Sequence, residues 1–150
     1  MRKYCLSLLL LLLTLVSNAV EPPKREIRGV WLTTVYGLDW PRKPATTETG
    51  RKAQQRDVCD ILDRLQDANF NTVFLQVRMR GDVIWRSAIE PASKIFSGKY
   101  GMMPGYDPLA FVVDECHKRG MECHAWFVTF PLGTDKSVIC LLYTSDAADD

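Results

Sequence analysis

The chain has 150 residues, with 19 basic and 18 acidic side chains and a net charge of +1. So even a balance gives no electrostatic argument for a nucleic acid or an anionic membrane surface as partner, and a neutral or small partner is expected instead. Of five cysteines, Cys5 lies in the N-terminal leader and Cys140 in an anomalous tail; the odd remainder, Cys59, Cys116 and Cys123, shows no disulfide framework and is read as small core residues, with a Cys116–Cys123 pair as the alternative in an oxidising compartment.

Residues 1–19 read as a secretory signal: Arg2 and Lys3 give a positive start, an apolar run covers 8–16, and Ser17, Asn18 and Ala19 make a small-residue cleavage site. The run is well short of the roughly 20 apolar residues needed to span a bilayer. Export to the periplasm or the exterior is therefore expected, with Val20 as the mature start and no stable membrane insertion once the signal is gone. The first strand is predicted over 27–34, followed by a turn region with Gly37, Pro41 and Pro44. A helix over 51–68 follows, because Val58, Ile61, Leu62 and Leu65 recur at i, i+3, i+4 and i+7 while Arg56, Asp60, Asp63, Arg64 and Asp67 take the other face.

The second strand is predicted over 71–78. The long connection over 79–106 is read as functional, since an idle loop of that length is uncommon. Asp107 followed by Pro108 marks a helix start, Leu109, Val112, Val113 and Cys116 repeat the helical spacing, and Gly120 is placed to end it. The third strand covers 121–128. This β-α-β-α-β order, with no hairpin turn chemistry recognised, implies parallel strands joined by right-handed helical crossovers.

Alternation along the strands says more. In the second strand Val73, Leu75 and Val77 fall on one face, and Phe74, Gln76, Arg78 and Arg80 on the other. In the third, Met121, Cys123, Ala125 and Phe127 oppose Glu122, His124, Trp126 and Val128; in the first, Trp31 and Thr33 alternate with Val30 and Leu32. A doubly wound sheet is apolar on both faces. One face turning polar towards its C-terminal end instead suits a barrel whose inner groups gather at the rim. The expected fold class is α/β, about three β/α units from the N-terminal portion of a (β/α)8 TIM-type barrel. The predicted inward set is Trp31, Thr33, Gln76, Arg78, His124 and Trp126. Aromatic faces against sugar C–H surfaces, and amide, guanidinium and imidazole groups against hydroxyls, suit a carbohydrate, as they suit other polar ligands.

Several segments in order, Arg28-Gly-Val-Trp-Leu-Thr-Thr, Asp39-Trp-Pro, Asn71-Thr-Val-Phe-Leu-Gln-Val-Arg, Gly81-Asp82, Glu90-Pro-Ala-Ser, Tyr106-Asp-Pro-Leu and His117-Lys-Arg-Gly-Met-Glu-Cys-His-Ala-Trp-Phe, resemble the glycosyl-hydrolase-like family 10 proteins (the DUF187 group). The resemblance implies a TIM-type barrel, export and hydrolysis of a polysaccharide or oligosaccharide, with bacterial cell-wall glycan a plausible substrate class. It also implies strand-end site positions at Trp31, Gln76, Arg78, Asp82, His124 and Trp126. This chain departs from the family at Phe127-Val-Thr-Phe-Pro, where many members have an Asn-Pro-Tyr-Arg-like run. The acidic Asp-Asp-Tyr-type segment expected after a fourth strand, where a catalytic carboxylate is looked for, does not occur in the chain.

Glycoside hydrolysis generally uses two carboxyl groups. Asp82, just beyond the second strand, is the best-placed candidate ahead of Asp39 and Glu90, although capping its loop or pairing with Arg78 or Arg80 is the competing role. Trp31, Gln76, Arg78, His124 and Trp126 are the expected substrate-binding residues, and Trp85, Tyr100 and Tyr106 either line a groove or only pack the long connection. His117 and His124 have no convergent ligand set around them, so neither a metal nor any other cofactor is expected. Two other readings stay open: a non-catalytic glycan-binding barrel and a metal-dependent barrel hydrolase. Residues 140–150, Cys-Leu-Leu-Tyr-Thr-Ser-Asp-Ala-Ala-Asp-Asp, resemble a translated sequencing-library adapter and are set aside. That leaves 20–139 as the N-terminal part of a barrel domain. Three strands would leave an open sheet edge, so poor solubility is expected of the chain by itself.

Overall fold

A computed structural model describes residues 26–131, so the expected signal segment and the 140–150 tail lie outside the described residues. Strand β1 (Gly29–Leu32) leads through a 3-10 turn (Val35–Gly37) to helix α1 (Glu48–Asp67) and strand β2 (Thr72–Met79). A two-residue strand β3 (Asp82–Val83), a one-turn helix α2 (Lys94–Ser97), helix α3 (Pro108–Lys118) and strand β4 (Glu122–Phe127) complete it.

Local chemistry accounts for the boundaries. β1 stops sooner than its composition suggests because the next backbone donors are taken by side chains: Thr33 N–H by Asp39, and Thr34 and Val35 N–H by Gln76. α1 starts three residues earlier than its apolar spacing predicts, because Thr47 Oγ1 accepts from Gly50 N–H at 3.1 Å and Glu48 sits favourably in the first turn. At α3 the expected cap is present, with Asp107 Oδ1 accepting from Ala110 N–H at 3.0 Å and Pro108 opening the helix. Gly120, at φ +68, turns the chain out of α3 into β4.

β2 is central and pairs in parallel with both β1 and β4, in the registers Val30↔Val73↔Cys123 and Trp31↔Phe74↔His124. The expectation of no hairpin is corrected here. β3 runs antiparallel to the end of β2, joined by Arg80 and Gly81, both with positive φ (55° and 76°). That is the left-handed two-residue turn a twisted hairpin requires; arginine in its first position, where Asn, Asp or Gly is usual, hid the signal. Strict alternation also fails at one point. A register shift between Gln76 and Arg78 brings Phe127 opposite Arg78.

The core lies on one face of the sheet. Val58 and Leu62 of α1 and Val112 and Cys116 of α3 are fully buried against Leu32, Val73, Leu75 and Val77. At about 2 kcal/mol for each buried aliphatic side chain, this cluster is the main source of stability. Gln54, buried on α1, cross-links the polar turns above it: its carbonyl accepts from Trp40 Nε1 at 2.8 Å, its amide donates to the Lys43 and Phe96 carbonyls, and its side-chain oxygen accepts from Tyr106. At the far end Arg119 bridges Asp63 of α1 and Glu115 of α3 at 2.7 and 2.6 Å. Cys59, Cys116 and Cys123 are free thiols, and Cys116 is wholly buried in the core. Among the described residues no helix is long and apolar enough to cross a membrane.

Candidate functional site

The face of the sheet turned away from the helices carries an aromatic wall. The Trp31 ring stacks on Phe74 at 4.8 Å and 21°, meets Trp126 edge-on at 4.9 Å, and Phe74 in turn lies 5.4 Å from the His124 ring. Parallel pairing in register sets these residues side by side. Gly29 is what lets the wall close, since a Cβ there would come within 2.7 Å of the Phe74 ring. Trp31 stays 59% exposed, a large apolar surface open to a flat ligand. His124 Nε2 lies 2.9 Å from Glu122 and remains half-exposed.

Higher on the same strands the polar residues are engaged by protein. Gln76 is 1% exposed, and its amide oxygen accepts from Thr33 Oγ1 at 2.7 Å, Thr34 N–H at 3.0 Å and Val35 N–H at 2.9 Å. It therefore fixes the loop leaving β1. Arg78 pairs with Glu90 at 2.6 Å and donates to the carbonyls of Val128 and Thr129 at 3.0 and 3.1 Å. It ties the end of β2 to the chain after β4 and to the long connection. Asp39 accepts from Thr33 N–H, and Glu90 is held by Arg78, so both of these candidate carboxylates already have structural partners.

Asp82 lies elsewhere, in a cleft of about 350 Å3 where β1 and β2 end. Thr34, Tyr36, Arg42, Met79, Arg80, Ser93 and Lys94 also line it. Burial pushes the Asp82 carboxyl up to about 6, against the lowering effect of a Ser93 hydrogen bond and of the Arg80, Lys94 and Arg78 charges. A carboxyl group in a cleft whose pKa is raised towards neutrality can act as a general acid. Arg80 is held over the Tyr36 ring at 4.6 Å, and both residues have positive φ.

The sequence-predicted residues thus fall into two places: Trp31, His124 and Trp126 on the wall with Phe74, and Asp82 in the cleft, with Gln76 and Arg78 bracing the loops. Tyr36 and Lys94 went unmarked in the sequence because nothing local sets them apart, and Ser93 was marked only as the end of the Glu90-Pro-Ala-Ser segment; the three come together only through the β2–β3 turn and α2. Trp85 meets Phe127 at 5.9 Å, and Tyr106 points into the Gln54 hub. Among the described residues no three His, Cys, Asp or Glu side chains converge as metal ligands would.

The family model described as Glycosyl hydrolase-like 10 matches residues 26–140. The chain belongs to that family. It is 50% identical over 111 residues to the Escherichia coli K12 protein named glycosyl hydrolase DigH, covering 71% of this chain and 25% of that protein. It is 41% identical over 103 residues to the Bacillus subtilis strain 168 protein named glycosyl hydrolase YngK, covering 69% of this chain and 20% of that protein. The chain therefore spans about a quarter or less of the length of these glycosyl hydrolase-like relatives.

Proposed function

We propose that this chain is the N-terminal part of an exported (β/α)8 glycoside hydrolase acting on a polysaccharide, with bacterial cell-wall glycan strands as the substrate class. The observation that carries the reading is the Asp82 carboxyl, raised to about 6 by burial in a cleft at the end of β2. In a barrel that end is the catalytic rim. Asp82 would protonate the departing glycosidic oxygen, and a second carboxylate from the later strands would act as nucleophile or activate water. Trp31 and Trp126 would stack on sugar rings, with His124 hydrogen-bonding a hydroxyl. Gln76 and Arg78 serve as positioning residues, holding the β1 loop and the rim in place through the bonds described above.

The test is to incubate the complete protein containing this chain with peptide-free cell-wall glycan strands and to follow new reducing ends by mass spectrometry. Cleavage is expected, with Asp82→Asn lowering kcat by about 100-fold or more, the usual scale for a general acid. No new reducing ends from any glycan would sink the reading. A non-catalytic glycan binder is the second reading. It is favoured by the fact that Asp82 is the only carboxylate among the described residues lining the cleft, and binding without cleavage would identify it.

A further inference from the structure

The turn at Arg80 is the least expected local feature of the fold. Among the described residues three non-glycine residues have positive φ, Tyr36, Asn69 and Arg80, and asparagine tolerates that region while tyrosine and arginine do so at a cost. The two unfavourable ones meet each other, Arg80 over Tyr36, on the wall of one cleft. Backbone strain that persists in a pair of touching side chains calls for a role at the surface they form.

Charge says what that role is. Arg42, Arg80 and Lys94 all line the cleft, and among the described residues none has a carboxylate within ion-pair distance, whereas Arg78 close by is fully paired with Glu90. The facing acid, Asp82, supplies at most one negative charge against these three positive ones. A guanidinium pinned on an aromatic ring presents its remaining N–H groups in a fixed plane, a geometry matched to a carboxylate. The cleft volume of about 350 Å3 lies at the low end of the roughly 300–1,000 Å3 of small-ligand sites, the scale of a single substituted sugar ring rather than of a chain.

We propose that this cleft is a subsite for a sugar ring bearing a carboxylate, whose anion is received by Arg80 with Lys94 and Arg42 beside it, while Tyr36 covers the ring. The assignment rests on the glycosidase reading for its sugar and adds the acidic substituent. An anion bound there would also hold the proton on Asp82, so recognition and acid catalysis would reinforce each other.

The probes are glycan strands containing N-acetylmuramic acid, with the carboxylate free or chemically reduced to the alcohol, titrated calorimetrically into the complete protein. About 10-fold tighter binding of the free acid is expected, the scale of one charge-assisted bond. The Arg80→Gln, Lys94→Gln double variant, and separately Arg80→Lys, should bring the ratio of the two affinities towards one, with circular dichroism confirming that each variant is folded. Equal affinity of the unaltered protein for both probes, binding of neither, or a preference that survives in the folded variants overturns the subsite. Preference for the acid without any cleavage would leave the subsite standing and remove the glycosidase reading instead. Cleavage of both forms at equal affinity would do the reverse.

Discussion

The Arg78 guanidinium lies 2.6 Å from Glu90 and donates from a second nitrogen to the carbonyls of Val128 and Thr129. One side chain thereby joins the end of β2, the chain leaving β4 and the long connection. Its side chain is 18% exposed and that of Glu90 23%, so the pair is shielded enough for its loss to matter. Arg78→Met is expected to destabilise the complete protein by about 2–3 kcal/mol in urea unfolding, because it strands Glu90 and two carbonyls. Glu90→Gln should cost less, since an amide oxygen still accepts from Arg78. Equal unfolding midpoints for Arg78→Met and the unaltered protein would contradict the bracing role.

Gln76 offers a cleaner case. Replacing it with leucine leaves the Thr34 and Val35 N–H groups without their acceptor in a buried position. At about 1–3 kcal/mol per stranded donor, a loss of about 2–4 kcal/mol is expected. Amide hydrogen exchange should also quicken at residues 33–36. Unchanged exchange there would mean that the loop is held by something else.

Gly29→Ala introduces a Cβ within 2.7 Å of the Phe74 ring. Phe74 is only partly buried and can tilt, so a cost of about 1 kcal/mol is expected rather than a failure to fold. The Trp31–Phe74 stack should be disturbed in proportion. Tryptophan fluorescence that does not respond to the substitution would argue against the wall as described.

Two carboxyl groups predict opposite pH effects. Asp82 rises from 3.8 unfolded to about 6 folded, so its contribution is fully present below 3.8 and is lost as pH rises through 6, by at most about 3 kcal/mol at ~1.36 kcal/mol per unit. Glu115, held down from 4.5 to about 2 by hydrogen bonds from Lys118 and Arg119, contributes above 4.5 and loses that contribution as pH falls towards 2. Stability should therefore decline from pH 4 to 6.5 on account of Asp82, and Asp82→Asn should flatten that part of the melting curve. Under the glycosidase proposal kcat/KM should also fall as pH rises through about 6. A melting profile that Asp82→Asn leaves unaltered between pH 4 and 6.5 would refute the buried-acid assignment.

The 150-residue chain produced by itself should associate. β4 pairs only with β2 among the described strands, and the wall beside it exposes Trp31 and Phe127 at 59% and 51%. An unpaired edge next to exposed aromatic surface promotes edge-to-edge pairing. Size-exclusion chromatography is expected to give aggregate, and a cooperatively melting monomer would count against the proposed barrel.

The sequence by itself determined the parallel core, because a period of two in Val73, Leu75 and Val77 and a period of 3.6 in Val58, Leu62, Val112 and Cys116 each bury one face, and because Asp107-Pro108 and Gly120 delimit α3 through purely local bonds. It also put Trp31, His124 and Trp126 on the face away from the helices, since alternation needs no knowledge of neighbours. What those polar residues bond to was decided only in three dimensions. Gln76 and Arg78 looked like ligand contacts and are engaged with residues up to 51 positions away, a pairing no local pattern encodes. Asp82 drew attention by position, but its raised proton affinity arises from burial by the elements packed around it, against the lowering effect of Ser93, and the Tyr36–Arg80 contact exists only because two distant turns fold onto each other. Periodicity is a property of a single strand or helix. Side-chain partnership and desolvation are properties of the packed whole.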